Sequence, residues 1–478
     1  MKVLFAAAEG SPFVKTGGLA DVIGALPKAL IAQGVDARIM LPKYKTIPER
    51  YVSAMRFVGH TEVPVGWRSA YCGLFELEHE GVTWYFLDSE YYFGARDGSL
   101  YGHYDDGERF AFFNRAVLQL LPLADFQPDL IHAHDWHAGM IAPLLTRHYR
   151  HDPFYARIRT IYTIHNLRYQ GVFPYSILDE LLGLDAGYFH PDRLEFNGGV
   201  SFMKGGIVYA DCVTTVSRTY ADEIRTPYFG EGLDGALRAR GYALTGIVNG
   251  IDEESYNPAA DTCLAHNYRT GLTKKLANKG ALQRELGLRR SNKTPLIGMV
   301  TRMTAQKGLD LIAHVLHELM AQDDVQLVVL GSGEPHYEGL FGATAQHYAD
   351  KLAVYIGFDE CLARRIYAGS DLFLMPSQFE PCGLSQMIAM RYGSVPIVRE
   401  TGGLKDTVLA YEEDTGEGNG FTFANYNAHD MLYTIRRAAS LYRQPEHWKR
   451  IVASAQRGDY SWRESASRYK ELYGQVLS

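Results

Sequence analysis

Residues 2–41 read KVLFAAAEGSPFVKTGGLADVIGALPKALIAQGVDARIML. Val3–Ala8 is a short apolar run, broken by Glu9 too early for a signal-peptide core, and it reads as a first strand. Leu19–Gln33 repeats apolar residues at helical spacing and stops at Gly34, after which Val35–Leu41 is apolar again. Strand, helix and strand in this order build a parallel sheet covered by helices. The pattern recurs along the chain. Further strands read at Leu130–Ala133, Arg159–Ile164 and Cys212–Val216 in the first half. In the second half they read at Leu296–Val300, Gln326–Leu330, Leu352–Ile356, Leu372–Met375 and Val395–Val398. Residues 51–90 alternate more like antiparallel strands and predict a β-rich insertion. An Asn-Gly turn signal at Asn249-Gly250, inside Val248–Asp252, marks a boundary between the halves. The expected division is a first parallel-sheet domain over 1–248 and a second over 249–458, with a helical tail over 459–478 that could cross back onto the first.

The chain has 478 residues, room for two large domains or for three ordinary ones of about 150 residues each. With 46% hydrophobic and 22% charged residues it is no disordered, collagenous or coiled-coil protein. A net charge of −7 shows no basic footprint for nucleic acid, and no apolar run approaches the roughly 18 residues of a membrane span. Five cysteines, Cys72, Cys212, Cys263, Cys361 and Cys382, are odd in number and lack C-x-x-C spacing. They read as neither a disulfide framework nor a zinc site, and point to a reducing cytoplasm. The 32 tyrosines suit sugar faces, and equally suit ordinary amphipathic packing.

Polar residues gather where predicted strands end. Lys15-Thr16-Gly17-Gly18-Leu19-Ala20-Asp21 puts a glycine pair at a strand–helix turn, where first-turn N–H groups meet anions. It lacks the spacing of a P-loop. Thr401-Gly402-Gly403-Leu404-Lys405-Asp406 nearly repeats it, so a second anion-binding turn is expected there. His132-Ala133-His134-Asp135-Trp136-His137 follows an apolar strand. Three histidines near an aspartate raise a metal site, but a strand running into a helix would not converge them. A sugar-binding rim built on Asp135 and Trp136 is the other reading. Thr163-Ile164-His165-Asn166 again ends a strand in polar groups, with a structural histidine as the plain alternative.

In the second half, Arg302 and Lys307 bracket one loop and could clamp a diphosphate, Arg with paired donors and Lys as a point charge. Gly331-Ser332-Gly333 lacks the third glycine of a dinucleotide fingerprint, because His336 stands in its place. Glu380-Pro381-Cys382-Gly383-Leu384-Ser385-Gln386 sets a carboxylate before a glycine that opens a helix. Cys382 by itself reads as a small packing residue.

Together these stretches, KTGGLADV, HAHDWHAG, THN, VNGID, TRMTAQKG and EPCGLSQ in this order, resemble the bacterial glycogen (starch) synthase family across essentially the whole chain. The resemblance implies a GT-B fold, two Rossmann-like domains facing a deep cleft, and a retaining transfer of glucose from ADP-glucose to an α-1,4-glucan. No metal or other cofactor is expected, because no D-x-D-type pair ends a strand and Lys15, Arg302 and Lys307 can supply the positive charge instead. The resemblance also implies site roles. Lys15, Gly18, Arg302 and Lys307 would hold the diphosphate, and Cys382, Gly383, Leu384 and Ser385 would close around phosphate and glucose. Asp21, Asn249 and Phe358 would take the nucleoside, with Phe358 standing where the family has a stacking tyrosine. Asp135, His165, Asn166 and Glu380 would surround the transferred glucose, and Tyr101 would lie on the acceptor side. Ile388 occupies the position where many other retaining GT-B enzymes carry a second glutamate. The other readings are a GT-B glucosyltransferase with a different donor or acceptor, a silent glucan-binding protein and a nicotinamide dehydrogenase. Retained Glu380, Arg302 and Lys307 oppose the second, and the broken glycine fingerprint opposes the third.

Overall fold

Strands that are apolar on both faces need helices over both, and the computed structural model arranges them so. It describes residues 1–96 and 98–478, with the backbone alone for Tyr242, and all counts refer to these. The chain forms two compact units, Met1–Gly250 with Trp462–Ser478, and Ile251–Ser461. The partings fall two and three residues beyond the expected boundaries.

The first unit contains β1 (Lys2–Ala6), β2 (Asp36–Pro42), β3 (Arg56–Val65), β4 (Arg68–His79), β5 (Val82–Asp88), β6 (Leu130–His134) and β7 (Arg159–Ile164). Three short strands, β8 (Val172–Phe173), β9 (Glu195–Phe196) and β10 (Gly199–Ser201), make a small sheet of their own. With β11 (Cys212–Thr215) and β12 (Leu244–Gly246) the main sheet runs β12-β11-β7-β6-β1-β2-β5-β4-β3. The expected insertion is only half separate. β3 and β4 form an antiparallel hairpin, whereas β5 pairs antiparallel with β4 and parallel with β2, so it belongs to the main sheet.

The second unit carries β13 (Leu296–Val300), β14 (Gln326–Gly331), β15 (Leu352–Ile356), β16 (Leu372–Met375), β17 (Val395–Arg399) and β18 (Phe421–Phe423), all parallel. Their order, β15-β14-β13-β16-β17-β18, is that of a Rossmann sheet, with its reversal between β13 and β16.

The helical tail is two helices. Pro445–Arg457 belongs to the second unit, the chain turns at Gly458–Ser461, and Trp462–Leu477 belongs to the first. Trp462, Ala466, Tyr469 and Tyr473 recur at helical spacing and enter the first unit's core. Lys470 Nζ donates to Gln33 O at 2.6 Å, and Gln33 Nε2 donates to Arg463 O at 2.9 Å.

One expectation fails. Cys263 and Cys361 form a disulfide, with Cα atoms 5.1 Å apart and a sequence separation of 98, while Cys72, Cys212 and Cys382 are buried and outside it. Linear spacing could not show this pairing, because packing alone brings the segment around Asp261 to the start of the helix Glu360–Gly369. With the bridge present, cysteine usage no longer argues for a reducing compartment. Among the described residues no helix is long and apolar enough to cross a membrane.

Candidate active site

In a doubly wound sheet, ligands bind at the carboxyl ends of strands where the strand order reverses. In the first unit that point lies between β1 and β6. After β6 the chain enters Asp135 at φ +54°, a conformation that costs a non-glycine residue on the order of 1 kcal/mol or more. Asp135 N–H donates to Thr163 O at 3.0 Å, and the Asp135 carboxylate accepts from His165 N at 2.8 Å and from Asn166 N at 3.4 Å. The ends of two adjacent strands are thereby tied together, and Asp135, His165 and Asn166 form one cluster. Burial pushes the Asp135 carboxyl up to about 7, against the backbone donors and with Glu9 adding to the rise. Burial lowers His165 and His137 to about 3 each, so both rings are neutral at physiological pH.

After β1 comes Glu9, which the sequence showed only as the end of an apolar run. Its carboxylate is buried and accepts from Thr16 Oγ1 at 2.8 Å and Thr16 N at 2.5 Å, and burial raises its pKa. Around it lie buried polar atoms without partners, Tyr44 Oη and both His137 nitrogens among them. The Tyr101 hydroxyl is buried near Thr16 and makes no hydrogen bond of ordinary geometry, and its ring lies 4.4 Å from that of His137. Buried polar groups are normally satisfied, so such a set marks a place where a polyhydroxylated ligand can supply the missing partners. Glu9 and Tyr44 were missed by the sequence reading, and Thr16 and His137 stood inside its motifs without a sugar-binding role of their own. A polar residue directly at the end of a predicted strand was the available signal.

Trp136 is no sugar platform. It is 8% exposed and packs against Phe110, His137, Phe173 and Phe202. Lys15 and Asp21, assigned to different parts of a nucleotide sugar, meet each other at 2.6 Å. Gly18 opens the helix Gly18–Ile31 with empty space where a side chain would start. Asn249 is buried with its Oδ1 unpartnered.

In the second unit the switch-point loops are those after β13 and β16. They meet in an ion pair. Lys307 Nζ lies 2.6 Å from Glu380 Oε2, Ser377 Oγ donates to the same oxygen at 3.0 Å, and Glu380 is 7% exposed. Arg302, on the same loop as Lys307, is exposed and has no carboxylate partner among the described residues. Gly383 at φ +73° turns the chain into the helix Ser385–Arg391, and the Gln386 side chain holds that turn by donating to Gly383 O at 2.9 Å. Leu384 is the N-cap of that helix, while the Cys382 side chain is buried, so these positions offer backbone rather than thiol chemistry. Phe358, in the turn after β15, is 75% exposed, and Asp359 beside it caps the next helix through Leu362 N at 2.7 Å.

Two glycine motifs have structural explanations. A Cβ on Gly331 would lie 1.8 Å from Thr301 O, and one on Gly333 2.3 Å from Met303 O, so both permit close loop packing. The expected second anion-binding turn is also corrected. Gly403 N donates to Glu380 O and Pro381 O at 3.1 Å each, and side chains at Gly402 and Gly403 would strike the backbone of residues 380–382. That turn supports the glutamate loop. Among the described residues no group of three His, Cys, Asp or Glu is arranged to hold a metal ion.

Two Rossmann-like units with polar clusters at their switch points define a GT-B glycosyltransferase. Residues 2–239 match the family described as Starch synthase catalytic domain, and residues 287–455 that described as Glycosyl transferases group 1. The chain is 60% identical over its whole length to the glycogen synthase of Geobacillus thermodenitrificans, covering 98% of that protein. It is 54% identical to that of Bacillus subtilis, again over its whole length and 98% of the relative. The catalytic domain of Starch Synthase IV from Arabidopsis thaliana, solved bound to ADP and acarbose, superposes with a TM-score of 0.91. The two are 38% identical, and the match covers 100% of this chain and 99% of that one. A sucrose-phosphate synthase from Thermosynechococcus elongatus, 17% identical with a TM-score of 0.63 over 100% of this chain and 99% of that one, shares the fold. The chain belongs to the glycogen synthase family and is a glycosyltransferase of glycogen synthesis.

Proposed function

We propose that the chain takes ADP-glucose as donor and extends the non-reducing end of an α-1,4-glucan, retaining the anomeric configuration, without a divalent metal. The observation that carries this reading is the Lys307–Glu380 pair at the second unit's switch point. Two hydrogen bonds fix one carboxylate oxygen, and Oε1 makes none among the described residues. A carboxylate so held stabilises positive charge growing on a sugar ring. The departing diphosphate is met by Arg302, by Lys307, and by the N–H groups where Gly383 opens a helix of the second unit. Phe358 offers an exposed ring on which a base stacks. The first unit contributes Lys15, Gly18, Asp21 and Asn249 toward the donor. Its cluster of Glu9, Tyr101, Asp135, His165 and Asn166 takes sugar hydroxyls. The ADP-bound starch synthase structure supports the choice of nucleotide.

The test is incorporation of radiolabelled glucose into glycogen from ADP-glucose and from UDP-glucose, with and without excess EDTA, for the native chain and for Glu380→Ala. ADP-glucose should be the better donor, chelation should leave turnover intact, and Glu380→Ala should lower kcat by about 10² or more. Preference for UDP-glucose would refute the donor assignment. Activity lost to EDTA and restored by Mg²⁺ would refute the metal-free reading, and near-normal kcat in folded Glu380→Ala would take that residue out of the site.

A further inference from the structure

The histidines that end β6 and follow β7 are not equivalent. His132 has a partner on each nitrogen, Tyr473 Oη at 2.8 Å from Nδ1 and Thr163 Oγ1 at 2.6 Å from Nε2. His134, fully buried beside it with ring centres 4.1 Å apart, has a partner on one side only. Its Nδ1 lies 2.9 Å from His165 Nε2, and its own Nε2 has no partner. Burial holds His134 and His165 well below the ordinary histidine pKa, so both rings are neutral and a single proton lies between the facing nitrogens.

Two arrangements satisfy that contact. If His165 Nε2–H donates, His134 must carry its own proton on Nε2, where a buried N–H meets no acceptor, and His165 presents a bare Nδ1. If His134 Nδ1–H donates, His134 Nε2 is left only a lone pair, and His165 carries its proton on Nδ1. Orphaned buried N–H groups are the rarer and costlier defect, which favours the second arrangement. The ring of His134 is also held in place, stacked on Phe5 with centres 5.5 Å apart.

We propose that His134 is a positioning residue that fixes His165 as its Nδ1–H tautomer, making His165 a hydrogen-bond donor to an oxygen of the transferred sugar. This rests on the reading of His165 as a sugar-contacting residue. A neutral donor of fixed direction suits a hydroxyl or ring oxygen, and it does not depend on protonation in the physiological range.

The tautomer is read directly by two-bond ¹H–¹⁵N correlation on the full chain labelled at histidine, with His165→Gln used to assign the ring. His165 should show a protonated Nδ1 and a bare Nε2, and a proton on Nε2 overturns the proposal. His134→Phe keeps a ring against Phe5 and His132 but has no N–H. It should lower kcat at least about tenfold with KM for ADP-glucose within about twofold, as loss of tautomer control does. His134→Asn places an amide N–H where Nδ1 stood and should recover most of the rate. A Phe variant with native kcat, or an Asn variant no better than Phe, would sink the role given to His134. His165→Ala with unchanged kcat would remove His165 from the sugar site, and the donor role with it. A wrong tautomer alongside a slow His165→Ala would overturn the part played by His134 alone.

Discussion

Thr16-Gly17-Gly18-Leu19 and Thr401-Gly402-Gly403-Leu404 are the same four residues, and each pair of glycines opens a helix after a strand. The two turns nevertheless do different work. In the first, the Thr16 N–H and hydroxyl hold Glu9, and Gly18 faces open space. In the second, a Cβ would stand 2.0 Å from Glu380 O at Gly402 and 2.1 Å from Cys382 O at Gly403, so the glycines exist to let one loop lie on another. Glycine at one turn leaves room for something that is not protein, and at the other removes atoms that protein would strike. Identical sequence therefore carries opposite sensitivities to the same substitution.

The largest expected effect is on the second turn. Gly403→Ala forces a methyl group into backbone and disturbs the N–H that donates to Glu380 O, a defect of about 3 kcal/mol or more. Calorimetry should show a melting transition lowered by roughly 6–12 °C, together with lost activity. A native melting temperature would mean that the two turns are alike after all.

Gly18→Ala should act the other way. The added methyl meets no protein atom, so melting should be unchanged, while kcat/KM for ADP-glucose falls by about tenfold or more as the donor is displaced. Equal melting with equal kinetics would show that nothing approaches Gly18, and the contrast between the turns would lose its functional half.

A smaller effect sharpens the contrast at the level of charge. The first unit's cluster stores buried acids that the fold prefers protonated. Asp135, with its carboxyl pushed up to about 7, keeps a proton in the folded chain that the unfolded chain has released above about 4. Between those values the folded state binds more protons, so unfolding free energy falls as pH rises through the window. Asp135→Asn, whose side-chain oxygen can still accept from His165 N, should flatten that fall, gaining stability over the native chain from pH 4 to pH 7 while losing activity. Parallel stability profiles for the two proteins would show that Asp135 carries no such penalty.

Much of this was legible in the sequence for a simple reason. Parallel strands buried on both faces are largely apolar runs, so Arg159–Ile164, Leu296–Val300 and Leu372–Met375 could be bounded without any structure, and the edge strand Leu352–Ile356 could too, although Tyr355 and Ile356 are exposed. Polar residues at their carboxyl ends stand out against those runs, and so Asp135, His165, Arg302 and Lys307 could be named. What each contacts was not legible. Nothing linear pairs Lys307 with Glu380 or His134 with His165, because strand order, decided by packing, sets which loops become neighbours.

The sequence by itself determined the alternation of strands and helices, the two-fold division and the chemistry available at each strand end, because hydrophobic periodicity and residue type are local properties. Tertiary structure alone decided the rest. It paired Cys263 with Cys361, sent β5 back into the main sheet and buried Trp136. It also gave two copies of one tetrapeptide unlike surroundings. The reason is that burial, partner and free volume belong to a position in space, and residues far apart in the chain create that position together.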